Sequence, residues 1–438
     1  MALMIRSAVV VIAFTTLLSG CPPPDVRIEP PGEGEGEGEP LPAAPLVLLP
    51  KTGISAAELG VVFNGADPQS VAVKDAYVAA RGIPLENIVE VTLPVAAVIA
   101  PIDFAPAKAA VDALPANVQA LALTWTNPYG VGCMSIGTAF AIAYDEARFC
   151  SVPCAPTEIV ATSDSDSHAP FTDLGVRPTM MLAATSVDDA VDLIARGVAA
   201  DGTSPSGTGF LVATTDAART VRAPLFPSLV NEWSHEGGLD LRFVDRPPGD
   251  VITDEPAVLF YFTGLVDVTG LETNSYVPGA VADHLTSFGG QVPTASGQMS
   301  DIRWLQAGAT ASYGTVIEPC NFPQKFPDPA VLTRHYFRGE PVIEAYWKSV
   351  AMPGEGLFVG EPLARPWGND EIEFDAATRR LTIRTNLLKA GVDYRVDSAD
   401  SAEGPFTPVL DVSTLEQRRV EIVVEDAVAA VYRLIEAT

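Results

Sequence analysis

Basic side chains are the first shortage: 27 Lys and Arg stand against 55 Asp and Glu in 438 residues, a formal net charge of −28. A chain this poor in cations cannot replace the counterions around phosphates, which excludes nucleic acid as a partner. Histidine is scarcer still, with only His168, His235, His284 and His335. None stands at metal-ligand spacing from a cysteine, so no zinc site is expected, and no other metal or cofactor. An apolar run of the ~20 residues that span a bilayer is also missing. The nearest candidate, residues 8–18, is too short. GCMSIG at 132–137 and TASYG at 310–314 miss the G-x-S-x-G spacing of a nucleophile elbow, and SGTG at 206–209 reads as a turn rather than a phosphate loop. What the chain does have is apolar mass: 47% of residues are hydrophobic, which rules out a disordered protein. The length suits one large α/β domain and a smaller one.

Arg6, the apolar run 8–18 and the small pair Ser19-Gly20 have the layout of an export signal over residues 1–20. Leu18-Ser19-Gly20-Cys21 resembles the bacterial lipobox, in which the Cys thiol is acylated and the preceding peptide removed; the alternative is an ordinary signal with an incidental cysteine. The lipobox reading expects a membrane anchor through lipid on Cys21 and a place in the bacterial cell envelope, at the outer membrane or cell surface. Each buried CH₂ of such a chain contributes about 0.8 kcal/mol. Residues 21–45 then form a Pro/Gly/Glu-rich tether with little to bury. Export makes disulfides plausible among Cys133, Cys150, Cys154 and Cys320. A local Cys150–Cys154 bridge would leave Cys133 with Cys320, while the other connectivities join Cys133 to Cys150 or to Cys154.

From residue 46 onward, short apolar runs at 59–63, 88–93 and 118–125 alternate with amphipathic segments at 70–81 and 105–114. That alternation predicts an α/β fold with a mostly parallel, doubly wound sheet. Residues 127–178 form an irregular excursion carrying three of the cysteines. Strand patterns resume at 179–184, 209–214 and 239–244, with a helix at 187–199 capped by Ser186. AVLFYFT at 257–263 is apolar on both alternating sets and predicts a strand buried on both faces, near the middle of the sheet. Helices at 330–337 and 342–350 and a strand at 356–363 close this α/β domain, which is expected over 46–367. Residues 368–438 switch to period-two runs such as RLTIRT and VEIVVE, the pattern of a small antiparallel β domain of sandwich type.

Several long phrases carry a family resemblance: ARGIP at 80–84, GVRPTMMLA at 175–183, RGVAADGT at 196–203, TTDAARTVRA at 214–223, VLFYFTGL at 258–265, PGAVADHLTSFGG at 278–290, AGATASYGTVIEPCN at 307–321 and EAYWKSV at 344–350. Over about residues 46–367 the chain resembles a family of exported bacterial proteins, many of them lipoproteins, known as conserved hypothetical proteins. That resemblance implies no activity. A more distant likeness is to the caspase–haemoglobinase clan, which includes gingipain, clostripain and the CHAT proteases. There one strand ends in His-Gly, the next in a Cys nucleophile within a small-residue turn, and a third reads AGA-x-x-x-x-G. Residues 257–264, 285–290 and 307–316 resemble these in order and spacing. The reactive positions differ: Thr263 stands where His would precede Gly264, and Ser287 or Phe288 where Cys would lie. The likeness implies the clan's fold and argues against its chemistry.

The stretch 278–319 is the densest in reactive groups. His284 is a candidate general base, with Ser287 sharing its face if the segment is helical and Asp283 as an orienting carboxylate. If the segment is extended, Asp283 and His284 point to opposite faces. Cys320 is either a nucleophile at the C-terminal sheet edge or half of a disulfide. Glu318 and Glu361, each before a proline, are placed at loop ends beside one sheet edge, for acid–base work or cation binding, or else as turn formers or partners of Arg303 or Lys325. SDSDSH at 163–168, with Asp173, is oxygen-rich but lacks the Gly and distal Glu of an EF-hand loop, and reads as a solvated loop. The function expected is a binding or structural protein of the cell envelope whose partner is a protein or small molecule. The alternative is a hydrolase that uses His284 with Ser287 or Cys320, supported by Asp283 and Glu318.

Overall fold

The computed structural model describes residues 42–149 and 154–437. The expected export signal, the lipid on Cys21, the tether up to residue 41, and Cys150 lie outside these residues.

Ten strands form one sheet: Leu59–Asn64 (β1), Ile88–Val91 (β2), Ala120–Leu123 (β3), Thr179–Met181 (β4), Thr208–Ala213 (β5), Asp240–Asp245 (β6), Val258–Thr263 (β7), Tyr276–His284 (β8), Ala311–Thr315 (β9) and Gly356–Gly360 (β10). Their spatial order is β6-β5-β7-β8-β9-β10-β4-β3-β1-β2. Every neighbouring pair is parallel except β9 and β10. The sheet is therefore two parallel halves that run in opposite directions and join at β9–β10. One consequence matters for function: the C-terminal tips of β7, β8 and β9 lie at one edge, and those of β1, β3, β4 and β10 at the other.

Local chemistry sets the helices. In α1 (Pro68–Arg81) the Asp67 side chain accepts from Gln69 N at 3.0 Å, Pro68 occupies the first turn, and Gly82 ends the helix at φ 64°. In α2 (Val187–Ala200) the Ser186 hydroxyl accepts from Asp189 N at 3.1 Å. Strand β7 explains its own apolar run: Phe260 and Phe262 enter one core cluster while Tyr261 enters another with Ala282 and Trp304. Both faces are buried, so alternation has no polar side to show. The strand is interior but third from one edge, not the middle.

At the C-terminal end, strands Glu371–Asp375 (β11), Arg380–Thr385 (β12), Asp393–Ala399 (β13), Thr407–Ser413 (β14), Val420–Val424 (β15) and Val431–Glu436 (β16) form two small sheets over a shared apolar cluster that includes Ile383, Val396, Ile422 and Leu434. The pairs β11–β12, β12–β15, β13–β14 and β13–β16 are antiparallel. Residues Leu46–Leu48, expected to open the α/β core, instead pair in parallel with β16, and Val47 and Leu49 join its cluster. Among the described residues, no helix is long and apolar enough to cross a membrane.

Candidate functional site

The tips of β7, β8 and β9 meet where the candidate residues lie, with Phe262 beside Asp283 and Thr263 beside His284 in register. Because His284 ends an extended strand, Asp283 and His284 face opposite sides of the sheet. The carboxylate therefore cannot orient the imidazole.

Each side chain has a different partner. Arg222, from the turn Thr220–Leu225, donates through Nη2 to Asp283 Oδ1 at 2.5 Å and to the Thr263 carbonyl at 2.7 Å, and through Nη1 to the Pro327 carbonyl at 2.9 Å. Both side chains of this ion pair are at most 2% exposed. Burial pushes the Asp283 carboxyl above its ordinary range even with Arg222 beside it, so desolvation outweighs the pairing. On the other face, the indole Nε1 of Trp304 donates to His284 Nδ1 at 3.0 Å, and His284 Nε2 lies 3.1 Å from the Met299 carbonyl. Those partners assign the proton to Nε2 and leave neither nitrogen for a substrate. Burial lowers the His284 pKa to about 4, and the positive charges of Arg222 and Arg219 add to that. His284 is a neutral connector between β8 and the helix Ile302–Ala307 (α3). The base role assigned to it on sequence grounds is not what its surroundings support.

The turn after β8 is compact for a mechanical reason. A Cβ on Gly314 would lie 2.3 Å from the Gly289 carbonyl carbon, and one on Gly290 would lie 2.6 Å from the Gly314 oxygen. Gly290 N donates to the Thr315 carbonyl at 3.0 Å, so the SFGG turn lies directly on β9. Ser287 sits in this turn, half-buried, with its carbonyl 2.9 Å from Thr315 Oγ1. The turn is not helical, so Ser287 and His284 do not share a face, and no hydrogen bond joins them.

Cys320 is bonded to Cys154, with Cα atoms 5.0 Å apart. This corrects both the Cys150–Cys154 and the Cys133–Cys320 pairings and removes Cys320 as a nucleophile, since a disulfide sulfur has no thiolate to offer. Cys133 is also disulfide-bonded. Glu318 accepts from Cys320 N at 2.8 Å and is otherwise exposed. Glu361 is at the opposite sheet edge, fully buried and gripped by Arg81 at 2.9 and 2.5 Å, so the two carboxylates do not share a site. Neither Arg303 nor Lys325 serves them; Lys325 pairs with Glu355 at 2.5 Å.

Three of the five candidates do come together. Ser287, Glu318 and Cys320 line a cleft of about 260 Å³ with Arg219, Leu285 and Phe326, whereas Asp283 and His284 lie outside it. Sequence reasoning missed Arg219 and Arg222. Their signal in the sequence is the phrase TTDAARTVRA at 214–223, which carries both arginines.

The loop 163–168 exposes Asp164 and Asp166 to solvent, as expected, and is also tied down by ion pairs. Asp164 bonds His335 Nε2 and Arg334 Nη2, both at 2.9 Å, and these partners hold its carboxyl down to about 2. Asp166 lies 3.1 Å from Lys389, and His168 Nδ1 lies 3.0 Å from Glu344 Oε1. Ligating atoms of His168, Glu340 and Glu344 come within 4.8 Å of one another, which raises the question of a metal. Lys348 already fills the cation's place, at 2.7 Å from Glu340 and 3.5 Å from Glu344. Burial would push the Glu340 carboxyl up, but Lys348 and His335 outweigh it and hold it well below its ordinary range. The donor set is a closed ion-pair network and does not fit a metal ion.

No family model matches the chain, and no curated protein does. Among solved structures, one described as "Structure of Protease" aligns at 12% identity over 88% of this chain and 98% of its own, with a TM-score of 0.42. A complex of the pro- and mature domains of Porphyromonas gingivalis RgpB aligns at 9% identity over 86% of this chain and all of its own, with a TM-score of 0.39. Likenesses this distant carry no weight for function.

Proposed function

We propose that this is a lipid-anchored protein of the bacterial cell envelope that works by binding, not by hydrolysis, and that its ligand site is the cleft at the tips of β8 and β9. One observation carries the reading. Among the described residues, the only imidazole at this edge is 1% exposed and bonded through both nitrogens, and the only sulfur lining the cleft is in a disulfide. A hydroxyl such as Ser287 needs a base within about 3 Å of its proton, and none is present there among the described residues. The lipobox-like Leu18-Ser19-Gly20-Cys21 and the tether after it support the anchor, and the charge of −28 supports an envelope role free of nucleic acid.

Activity-based labelling tests the binding reading. Purified protein is expected to stay unlabelled by serine-directed and cysteine-directed probes; labelling of Ser287 that disappears in His284→Ala would restore the hydrolase. For the anchor, a fatty-acid label should be incorporated by the wild type and lost in Cys21→Ser; incorporation by both would refute acylation at Cys21.

A further inference from the structure

The cleft has two walls of opposite charge that do not neutralise each other. Arg219 stands on one side, after β5, where Nε donates to Thr286 Oγ1 at 3.1 Å and Nη1 to Asp216 at 2.8 Å. Thr286 is itself 1% exposed and held by Gln298 at 2.7 Å, so the guanidinium is fixed from a buried anchor. Its Nη2 has no protein partner among the described residues. On the other wall, Glu318 uses Oε1 to accept from Cys320 N, which leaves Oε2 without a protein partner. The Cys154–Cys320 disulfide pins that wall. No ion pair joins Arg219 to Glu318; Arg219 pairs with Asp216 alone. The same cleft is also lined by Leu285, Pro319 and Phe326, all buried and apolar.

Two positioned groups of opposite sign, each with one hydrogen-bonding atom not used by the protein, beside an apolar lining match one ligand chemistry. We infer that the cleft binds a residue-sized zwitterion: a carboxylate against Arg219, an ammonium against Glu318, and an apolar body across Leu285 and Phe326, as in an apolar α-amino acid. The inference rests on the binding reading above and adds the ligand class. Size agrees, because about 260 Å³ falls just below the ~300–1,000 Å³ of sites for drug-sized ligands. Net charge agrees too. A protein at −28 repels a simple anion, whereas a zwitterion brings its own positive charge and is not repelled. The Nη2 left over on Arg219 can donate a charge-assisted hydrogen bond to the ligand's carboxylate.

Calorimetric titration of the full chain with L-leucine, leucinamide and N-acetyl-leucine tests this, since the two analogues each lack one charge. Leucine is expected to bind, and each analogue to bind at least about tenfold more weakly, a difference of about 1.4 kcal/mol. Arg219→Gln should weaken leucine about tenfold and leave leucinamide unchanged, whereas Glu318→Gln should weaken leucine and leave N-acetyl-leucine unchanged. That crossed pattern cannot arise from misfolding, which would affect all three ligands alike. A leucyl-leucine titration separates sources: binding equal to leucine's points to a peptide end, and loss of binding to the free amino acid. The inference is overturned if leucine gives no heat, if the analogues match it, or if the variants do not discriminate between analogues. Those results leave the binding reading standing, which falls only with the probe labelling described above.

Discussion

If His284 is a connector and not a base, its titration should appear as stability instead of activity. The ring is fully buried between Trp304 and Met299, with a pKa lowered to about 4 from the ordinary 6.5. The sign follows from proton counting. Above pH 6.5 the ring is neutral folded and unfolded alike, and its stabilising effect is fully present. Between pH 6.5 and 4 only the unfolded chain takes up the proton, so stability falls as pH falls. The full gap is worth about 3 kcal/mol, and about 2 kcal/mol of it is lost between pH 7 and pH 5. Other groups titrate in that window as well, so the measurement is a difference. His284→Gln keeps a donor and an acceptor at the site but does not titrate. Urea unfolding of both proteins at pH 7 and pH 5 should show the wild type more stable at pH 7, by about 1–3 kcal/mol for imperfectly replaced buried hydrogen bonds. That advantage should shrink by about 2 kcal/mol at pH 5. An advantage that stays constant across this range, or an NMR titration placing the His284 ring near 6.5, would refute the buried role and reopen the catalytic one.

Four further outcomes follow from the same structure. Asp283→Ala leaves Arg222 charged and buried, and should cost about 3–5 kcal/mol in urea unfolding, whereas Arg222→Met with Asp283→Leu should cost less; a double variant as unstable as the single one would contradict this. Asp301 is fully buried, neither carboxylate oxygen makes a well-formed hydrogen bond, and burial pushes its pKa well above 3.8 against weaker opposing contacts from the Ile302 backbone and Ser300. Its ionisation therefore opposes folding as pH rises above about 4, so Asp301→Asn should gain about 1–3 kcal/mol at pH 7 and lose that gain below pH 4; equal stability at both would disprove the assignment. Gly314→Ala sets a methyl against the Gly289 backbone and should lower stability by about 1–3 kcal/mol, readable as a fall in Tm that Gly137→Ala, where an added Cβ meets nothing nearer than 3.7 Å, does not share. Maleimide should leave Cys154 and Cys320 unmodified until a reductant is added, and reduction should cost about 2–4 kcal/mol; modification of either before reduction would break the pairing.

Features fixed by chain neighbours, such as helix caps and two-sided burial, are legible in the sequence, whereas those fixed by distant partners are not. Asp67, Pro68 and Gly82 announce α1 because a cap and its helix are neighbours in the chain, and the apolar run of β7 announces burial on both faces for the same reason. The reversal of direction at β9–β10 has no local mark, since it depends on which of ten strands become neighbours. Cys154 and Cys320 are 166 residues apart, and even spacing in FCSVPC favoured the wrong partner. The candidate site failed in the same way. A histidine, a carboxylate, a hydroxyl and a thiol within 40 residues form the composition of a hydrolase, yet each residue type is equally able to make a buried structural bond. His284 meets Trp304, 20 residues onward, and Asp283 meets Arg222, 61 residues back. Which role a residue takes depends on desolvation and on partners brought by the fold. Burial favours pairing within the protein, as at both ring nitrogens of His284, and such pairing removes the free lone pair that chemistry needs. The reactive density of 278–319 is thus evidence of how much polar bonding the strand tips require. The groups left over, one guanidinium nitrogen on Arg219 and one carboxylate oxygen on Glu318, mark where a ligand can still be held.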